Sequence, residues 1–125
     1  MIFKETILLV PDNSNVLFVK LIKILKNKKQ HGKIGDNIIV SVNTIRKEEE
    51  KKIKKGDVLK GIIIQTRKRY SRIDKGYFIN FNRNCAVLFS KNNNKLIGNR
   101  IQVALPKELR NRKRMKLLSI APCIV

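Results

Sequence analysis

Apolar positions along this chain come in short runs, mostly β-branched, and each run is closed by a turn-forming cluster. Residues 6–10 predict a first strand, stopped by Pro11-Asp12-Asn13-Ser14. The run over residues 16–25 is longer and interrupted only by Lys20 and Lys23 among its apolar residues. Leu17, Leu21, Ile24 and Leu25 would also line one face of a helix capped from Asp12 or Ser14, but the Val and Ile content favours a strand. Gly35-Asp36-Asn37 then opens Ile38-Ile39-Val40, and Gly56-Asp57 opens residues 58–64. In both places Gly-Asp predicts a tight turn that sends a strand back across a sheet. Gly61 lies inside the second of these runs and predicts a bulge or a barrel corner. Gly76 introduces residues 77–81, and residues 85–89 follow the polar Asn82-Arg83-Asn84.

The tail differs in character. Residues 106–110 suit a short helix with Pro106 in its first turn, and residues 112–120 a second, with Met115, Leu118 and Ile120 packing inward and Pro122 ending it. The pattern therefore predicts one all-β domain over residues 1–125. A small barrel of five or six strands occupies about residues 1–103, and a short helical region about residues 104–125.

Charge changes the picture most. The 125 residues hold 29 Lys and Arg against nine Asp and Glu, a net charge of +20. Self-repulsion on that scale destabilises a compact state, whereas a polyanion that releases its condensed counterions drives binding. With 42% hydrophobic residues the chain is no disordered basic tail, so the predicted partner is nucleic acid. No long basic amphipathic stretch or lipidation signal points to a membrane. Lys, Asn and Ile are over-used, as in Asn92-Asn93-Asn94, and their codons are rich in A and T. That bias points to an AT-rich genome such as an organelle's. The start carries no presequence, which fits synthesis in the compartment of use.

Enzymatic chemistry finds no support. His31 sits in a polar basic loop without an adjacent acid. Asp12, Asp36, Asp57 and Asp74 fall in turns, where Asp bonds to nearby backbone. Glu48-Glu49-Glu50 lies between basic pairs, as local neutralisation in an exposed hairpin. Cys85 and Cys123 are far apart, with no CxxC, and read as reduced thiols. No metal-ligand spacing, phosphate loop or nucleophile motif is present, and no cofactor is expected.

The basic residues instead gather between strands. Lys26, Lys28, Lys29 and Lys33 mark one loop, and Arg46, Lys51, Lys52, Lys54 and Lys55 bracket a second. Arg67, Lys68, Arg69 and Arg72 form a third cluster; Arg110, Arg112, Lys113, Arg114 and Lys116 form a fourth. Only Tyr70 is an aromatic embedded in such a cluster, so phosphate and shape recognition of folded RNA is expected over base stacking.

Residues 61–88 resemble the signature of the universal large-subunit ribosomal protein L-fourteen family. Gly61, Ile62-Ile63-Ile64, Gly76, Phe81, Asn84 and Val87-Leu88 carry that resemblance. Asp12-Asn13-Ser14, Gly35-Asp36, Lys54-Lys55-Gly56-Asp57-Val58, Ile97-Gly98-Asn99-Arg100-Ile101, Glu108-Leu109-Arg110, Met115-Lys116 and Ser119-Ile120-Ala121-Pro122 agree in order. The departures are Asn15 followed by Val16-Leu17-Phe18 where Gly and basic residues are usual, Lys75 before the turn Gly, Val103-Ala104 for Gly-Pro, and Cys123 for Glu.

The resemblance implies a five-stranded barrel, which also supports a strand over residues 16–25. It implies a non-enzymatic role: binding large-subunit rRNA beside the ribosomal proteins L-three and L-nineteen, and bridging to small-subunit rRNA. In bacteria and organelles the same face receives a ribosome-silencing factor. Asn99, Arg100, Arg110, Arg112, Lys113, Arg114 and Lys116 match the family's bridge-side contact region. The mitochondrion is the expected compartment, with plastid and bacterial cytoplasm as alternatives. The competing reading is a free-standing OB-like RNA-binding protein, a translation factor or RNA chaperone, which would present Tyr77, Phe78 and Phe81 on one sheet face.

Overall fold

The computed structural model describes residues 2–25, 30–47, 52–72, 76–111 and 114–125. Among these residues seven strands and two short helices follow in order: β1 (Ile7–Leu9), β2 (Val16–Ile24), β3 (Asn37–Ile45), β4 (Val58–Gln65), β5 (Tyr70–Ser71), β6 (Phe78–Ile79), β7 (Cys85–Phe89), α1 (Glu108–Asn111) and α2 (Met115–Ser119). Five strands close a barrel in the order β1-β2-β3-β4-β7. Neighbours run antiparallel except β1 and β7, which meet in parallel through Leu9 and Cys85. The expected strand over residues 77–81 does not join the barrel. Only Phe78–Ile79 is extended, and it pairs with Tyr70–Ser71 in a separate two-stranded hairpin.

Residues 16–25 form a strand, not a helix. Val16, Val19, Leu21 and Ile24 point inward, while Phe18, Lys20 and Lys23 face out. Register shifts after Val16, Phe18 and Leu21 let one long strand keep its apolar residues inside a curving wall. The two Gly-Asp turns are built alike. Gly35 and Gly56 have φ of 85° and 90°, a backbone that a Cβ would strain. The carboxylates of Asp36 and Asp57 accept the N–H of Lys33 (2.9 Å) and Lys54 (3.0 Å).

Gly61 marks no bulge. It pairs in register with Ile38 and Leu88, and a Cβ there would lie 2.9 Å from the Val87 carbonyl oxygen. Its absence of a side chain lets β4 and β7 approach closely. The irregularity in this pair falls instead between Ile63 and Gln65.

Two apolar cores result, on opposite faces of the same wall. Leu59 and Ile63 of β4 and Ala86 and Leu88 of β7 fill the barrel interior with Leu8, Val19, Val40 and their neighbours. Ile62, Ile64, Cys85 and Val87 point outward, against Ile101, Leu105, Leu109, Leu117 and Leu118 of the C-terminal region. A strand buried on both faces reads as a continuous apolar run rather than an alternating one, as Ile62-Ile63-Ile64 does. Each such side chain contributes about 1.5–3 kcal/mol by leaving water. Within α2, Leu117 and Leu118 are buried and Ile120 packs beside them, whereas Met115, expected inside, is 57% exposed. Phe81 is half-buried against this outer core.

Candidate nucleic-acid interface

Antiparallel connections place the basic loops at the two ends of the barrel. The β2–β3 connection and the segment from β4 to β7 leave one end; the β1–β2 and β3–β4 connections leave the other. Lys33 therefore shares an end with Arg67, Lys68 and Arg69, and Arg46, Lys52, Lys54 and Lys55 lie at the opposite one. All eight side chains are solvent-exposed. Lys26, Lys28, Lys29, Lys51, Arg112 and Lys113 lie outside the described residues, as do Glu48-Glu49-Glu50, Asp74 and the departure at Lys75.

Several arginines of the predicted set are engaged within the protein. Arg72 is 18% exposed, and its Nε lies 2.9 Å from Oε1 of the buried Glu108. Its Nη2 donates to the Val125 carbonyl at 2.7 Å, which ties the β5–β6 hairpin to α1 and the end of the chain. Arg114 is half-buried and donates to Oδ1 of Asn37 at 2.6 Å. Arg46 keeps an exposed stem while donating to the Val10 carbonyl at 3.2 Å.

Asp12-Asn13-Ser14 and Ile97-Gly98-Asn99-Arg100-Ile101, far apart in sequence, form one unit. The Asn13 side-chain oxygen accepts the backbone N–H of Asn99 (2.7 Å) and of Arg100 (3.2 Å). Asn13 N–H returns a bond to the Arg100 carbonyl at 3.2 Å, and Gln102 N–H donates to Pro11 at 2.8 Å. Asp12 is fully buried, and its Oδ1 accepts both the backbone N–H and the hydroxyl of Ser14. Its Oδ2 has no hydrogen-bond partner among the described residues. Burial pushes this carboxyl above its usual value, against the pull of the Ser14 bonds and of Arg46. The consequence is a fixed backbone that holds Asn99 and Arg100 out to solvent.

Asn15, unusual by the resemblance, clamps the neighbouring hairpin. Its amide donates to the Lys47 carbonyl at 2.6 Å and accepts the Lys47 N–H at 2.9 Å. A glycine could make neither bond. Val103 packs half-buried on the outer core, and Cys123 is exposed and free. The Cys85 thiol is buried in that core and pushed up to about 11 by its burial, with Arg83 acting the other way.

A groove runs between residues 93–99 and α2. Its main cavity, about 800 Å³, is lined by Asn99, Arg114, Met115 and Lys116 together with Asn93, Asn94, Lys95 and Leu96. A second cavity of about 260 Å³ continues it past Arg114 to Asn37, Lys60 and Leu25. Three of the predicted bridge-side residues, Asn99, Arg114 and Lys116, thus meet at one site. Arg100 adjoins Asn99, and Arg110 is exposed on α1. Lys60, Lys95 and the exposed Met115 belong to the same groove, and sequence reasoning missed all three. The only hint was the polar Asn92-Asn93-Asn94 run between apolar segments.

The aromatics that a free-standing RNA-binding barrel would carry on a sheet face are arranged otherwise. Tyr77 and Phe78 are exposed, 70% and 63%, but at the small hairpin outside the barrel. Among the described residues, no three His, Cys, Asp or Glu side chains are grouped to hold a metal ion. The family model of ribosomal protein L14p/L23e matches residues 1–125.

Proposed function

The chain belongs to the ribosomal protein L14p/L23e family and is a protein of the large ribosomal subunit; from that premise we propose that its two basic barrel ends bind large-subunit rRNA and that its α2 groove faces the small subunit. The observation that carries this reading is where the charges stand. Asp12 and Glu108 are buried and Asp36 and Asp57 close turns, while Lys33, Lys52, Lys54, Lys55, Arg67 and Arg69 of the described connecting loops are exposed to solvent. Exposed cations of one sign, held by a rigid barrel, suit a phosphate surface whose counterions are released on contact.

At the groove, Asn99, Arg114 and Lys116 supply the contacts to small-subunit rRNA, together with the exposed Arg100 next to Asn99 and Arg110 on α1. The same surface receives a ribosome-silencing factor, for which the exposed Met115 provides an apolar contact beside the cations. Neighbouring ribosomal proteins L-three and L-nineteen complete the surroundings. The Lys, Asn and Ile bias supports an AT-rich organellar genome, with a mitochondrion as the first choice ahead of a plastid or a bacterial cytoplasm.

Sucrose gradients of purified mitochondria in high salt test the assignment. One copy of the chain per large subunit is expected, and recovery only in light, RNA-poor fractions overturns it. Reversing Arg100, Arg110 and Lys116 to Glu tests the bridge-side contacts in and beside the groove. Subunit joining should weaken and lose part of its salt dependence, while co-sedimentation with the large subunit is retained. Unchanged joining would remove the bridge from the proposal.

A further inference from the structure

Next to β7 in the barrel, the outer face of β1 and β2 presents an apolar patch beside basic residues. Leu9 and Phe18 are cross-strand partners there, with Ile7 beside them. Ile7 is 54% and Phe18 36% exposed, although outward positions on a solvated wall are usually polar. These side chains floor a cavity of about 400 Å³ whose wall is Arg67 and residues 82–84. That volume falls in the range of small-ligand sites, about 300–1,000 Å³.

The wall is held in place. Leu9 N–H donates to the Asn84 carbonyl at 3.0 Å, and Asn84 Oδ1 accepts the Arg67 N–H at 2.9 Å. With its oxygen engaged, the Asn84 side chain can offer its NH₂, which has no partner among the described residues, to a ligand. Arg67 and Arg83 line the cavity, Lys20 stands opposite Ile7 in the register, and among the described residues no acid contributes to the lining.

We propose that this cavity takes one unpaired nucleotide of RNA, its base stacked on Phe18 and its phosphate held by Arg67 and Arg83. Three features select that occupant over a protein segment. An aromatic face accepts any base by stacking. The charged residues of the described lining, Arg67 and Arg83, are both cationic, which complements a phosphate and repels the basic segments common among proteins that live on RNA. The amide of Asn84 suits a base carbonyl. The proposal rests on the reading of the chain as an rRNA-binding protein, and it adds a nucleotide pocket to a surface otherwise recognised by phosphate and shape.

The test is filter binding of the full chain to the large-subunit rRNA of its own ribosome, over a series of KCl concentrations. Phe18→Ala should weaken binding about five- to 150-fold, the range for loss of one stacked base. It should leave the slope of log affinity against log salt unchanged, since no phosphate contact is removed. Phe18→Tyr should bind like the wild type. Phe18→Leu keeps the apolar packing but lacks the aromatic face, so it should fall with Phe18→Ala even if the alanine variant folds poorly. Arg83→Ala should lower the slope by about one phosphate contact. Wild-type affinity in both Phe18→Ala and Phe18→Leu, alongside steep salt dependence, overturns the pocket and leaves the rRNA reading intact. A wild-type chain without salt-dependent affinity for the rRNA overturns both.

Discussion

Substituting Gly98 by Ala tests whether the unit made by residues 12–14 and 97–101 is as tight as its geometry implies. A Cβ at position 98 would lie 2.7 Å from Cβ, 2.8 Å from Cγ and 2.9 Å from Oδ2 of Asp12. Asp12 has no room to retreat, being fully buried and fastened by the N–H and hydroxyl of Ser14. Overpacking of this kind costs about 1–3 kcal/mol. Displacing Asp12 weakens a bond to Ser14 worth about 1 kcal/mol. Against this, replacing Gly stiffens the unfolded chain and returns about 0.4–1 kcal/mol. The net expectation is a loss of about 2 kcal/mol, or roughly 8 °C in Tm for a domain of this size. Urea unfolding followed by circular dichroism, in buffer with enough salt to keep the free protein soluble, reads it directly. Asp12→Gly removes all three clashing atoms, so adding Gly98→Ala to that background should cost under about 0.5 kcal/mol. A Gly98→Ala variant as stable as wild type, or an equal penalty in both backgrounds, refutes the argument.

Three further outcomes follow from the same structure. Asn15→Ala removes both bonds to the Lys47 backbone and should lower the urea midpoint by the equivalent of about 1–2 kcal/mol with an unchanged m-value. Arg72→Ala leaves Glu108 buried without its ion-pair partner and should cost about 3 kcal/mol, whereas Arg69→Ala, at an exposed position, should weaken RNA binding with stability unchanged within about 0.5 kcal/mol. Equal stability of the two variants would mean that the Arg72 pair is not structural. The raised pKa of Asp12 means that the folded state holds this proton more tightly than the unfolded chain does. Its contribution to stability is complete below the ordinary value of 3.8 and is lost as pH rises through the folded value. Unfolding titrations of wild type and Asp12→Asn between pH 7 and pH 4 should therefore show wild type gaining on the variant as pH falls, and a constant difference would contradict the shift.

The sequence alone determined the barrel. Short β-branched runs closed by Gly-Asp turns are local signals, because a positive φ at Gly35 or Gly56 and an Asp bonded three residues back need no distant partner. The charge excess, too, is a property of composition, and it favours a polyanionic partner whatever the fold. The family pattern was legible because its glycines mark places where backbone or side chain comes too close for a Cβ, as at Gly61 and Gly98.

Only the tertiary structure decided which of these residues face solvent. Residues 77–81 carry strand-forming residues, yet only two of them pair, because the barrel closes through β7 and leaves the hairpin outside. Met115 and Leu117 are both apolar residues of one short helix. Leu117 packs on the outer wall of β4 and β7 while Met115 is turned into the groove, and no periodicity is readable over five residues. Arg72 and Arg69 belong to one basic run, but Glu108 reaches only Arg72. Exposed charges and internal ion pairs look identical in sequence. What separates them is a partner brought from far along the chain, and that juxtaposition exists only once the barrel and its C-terminal layer have closed.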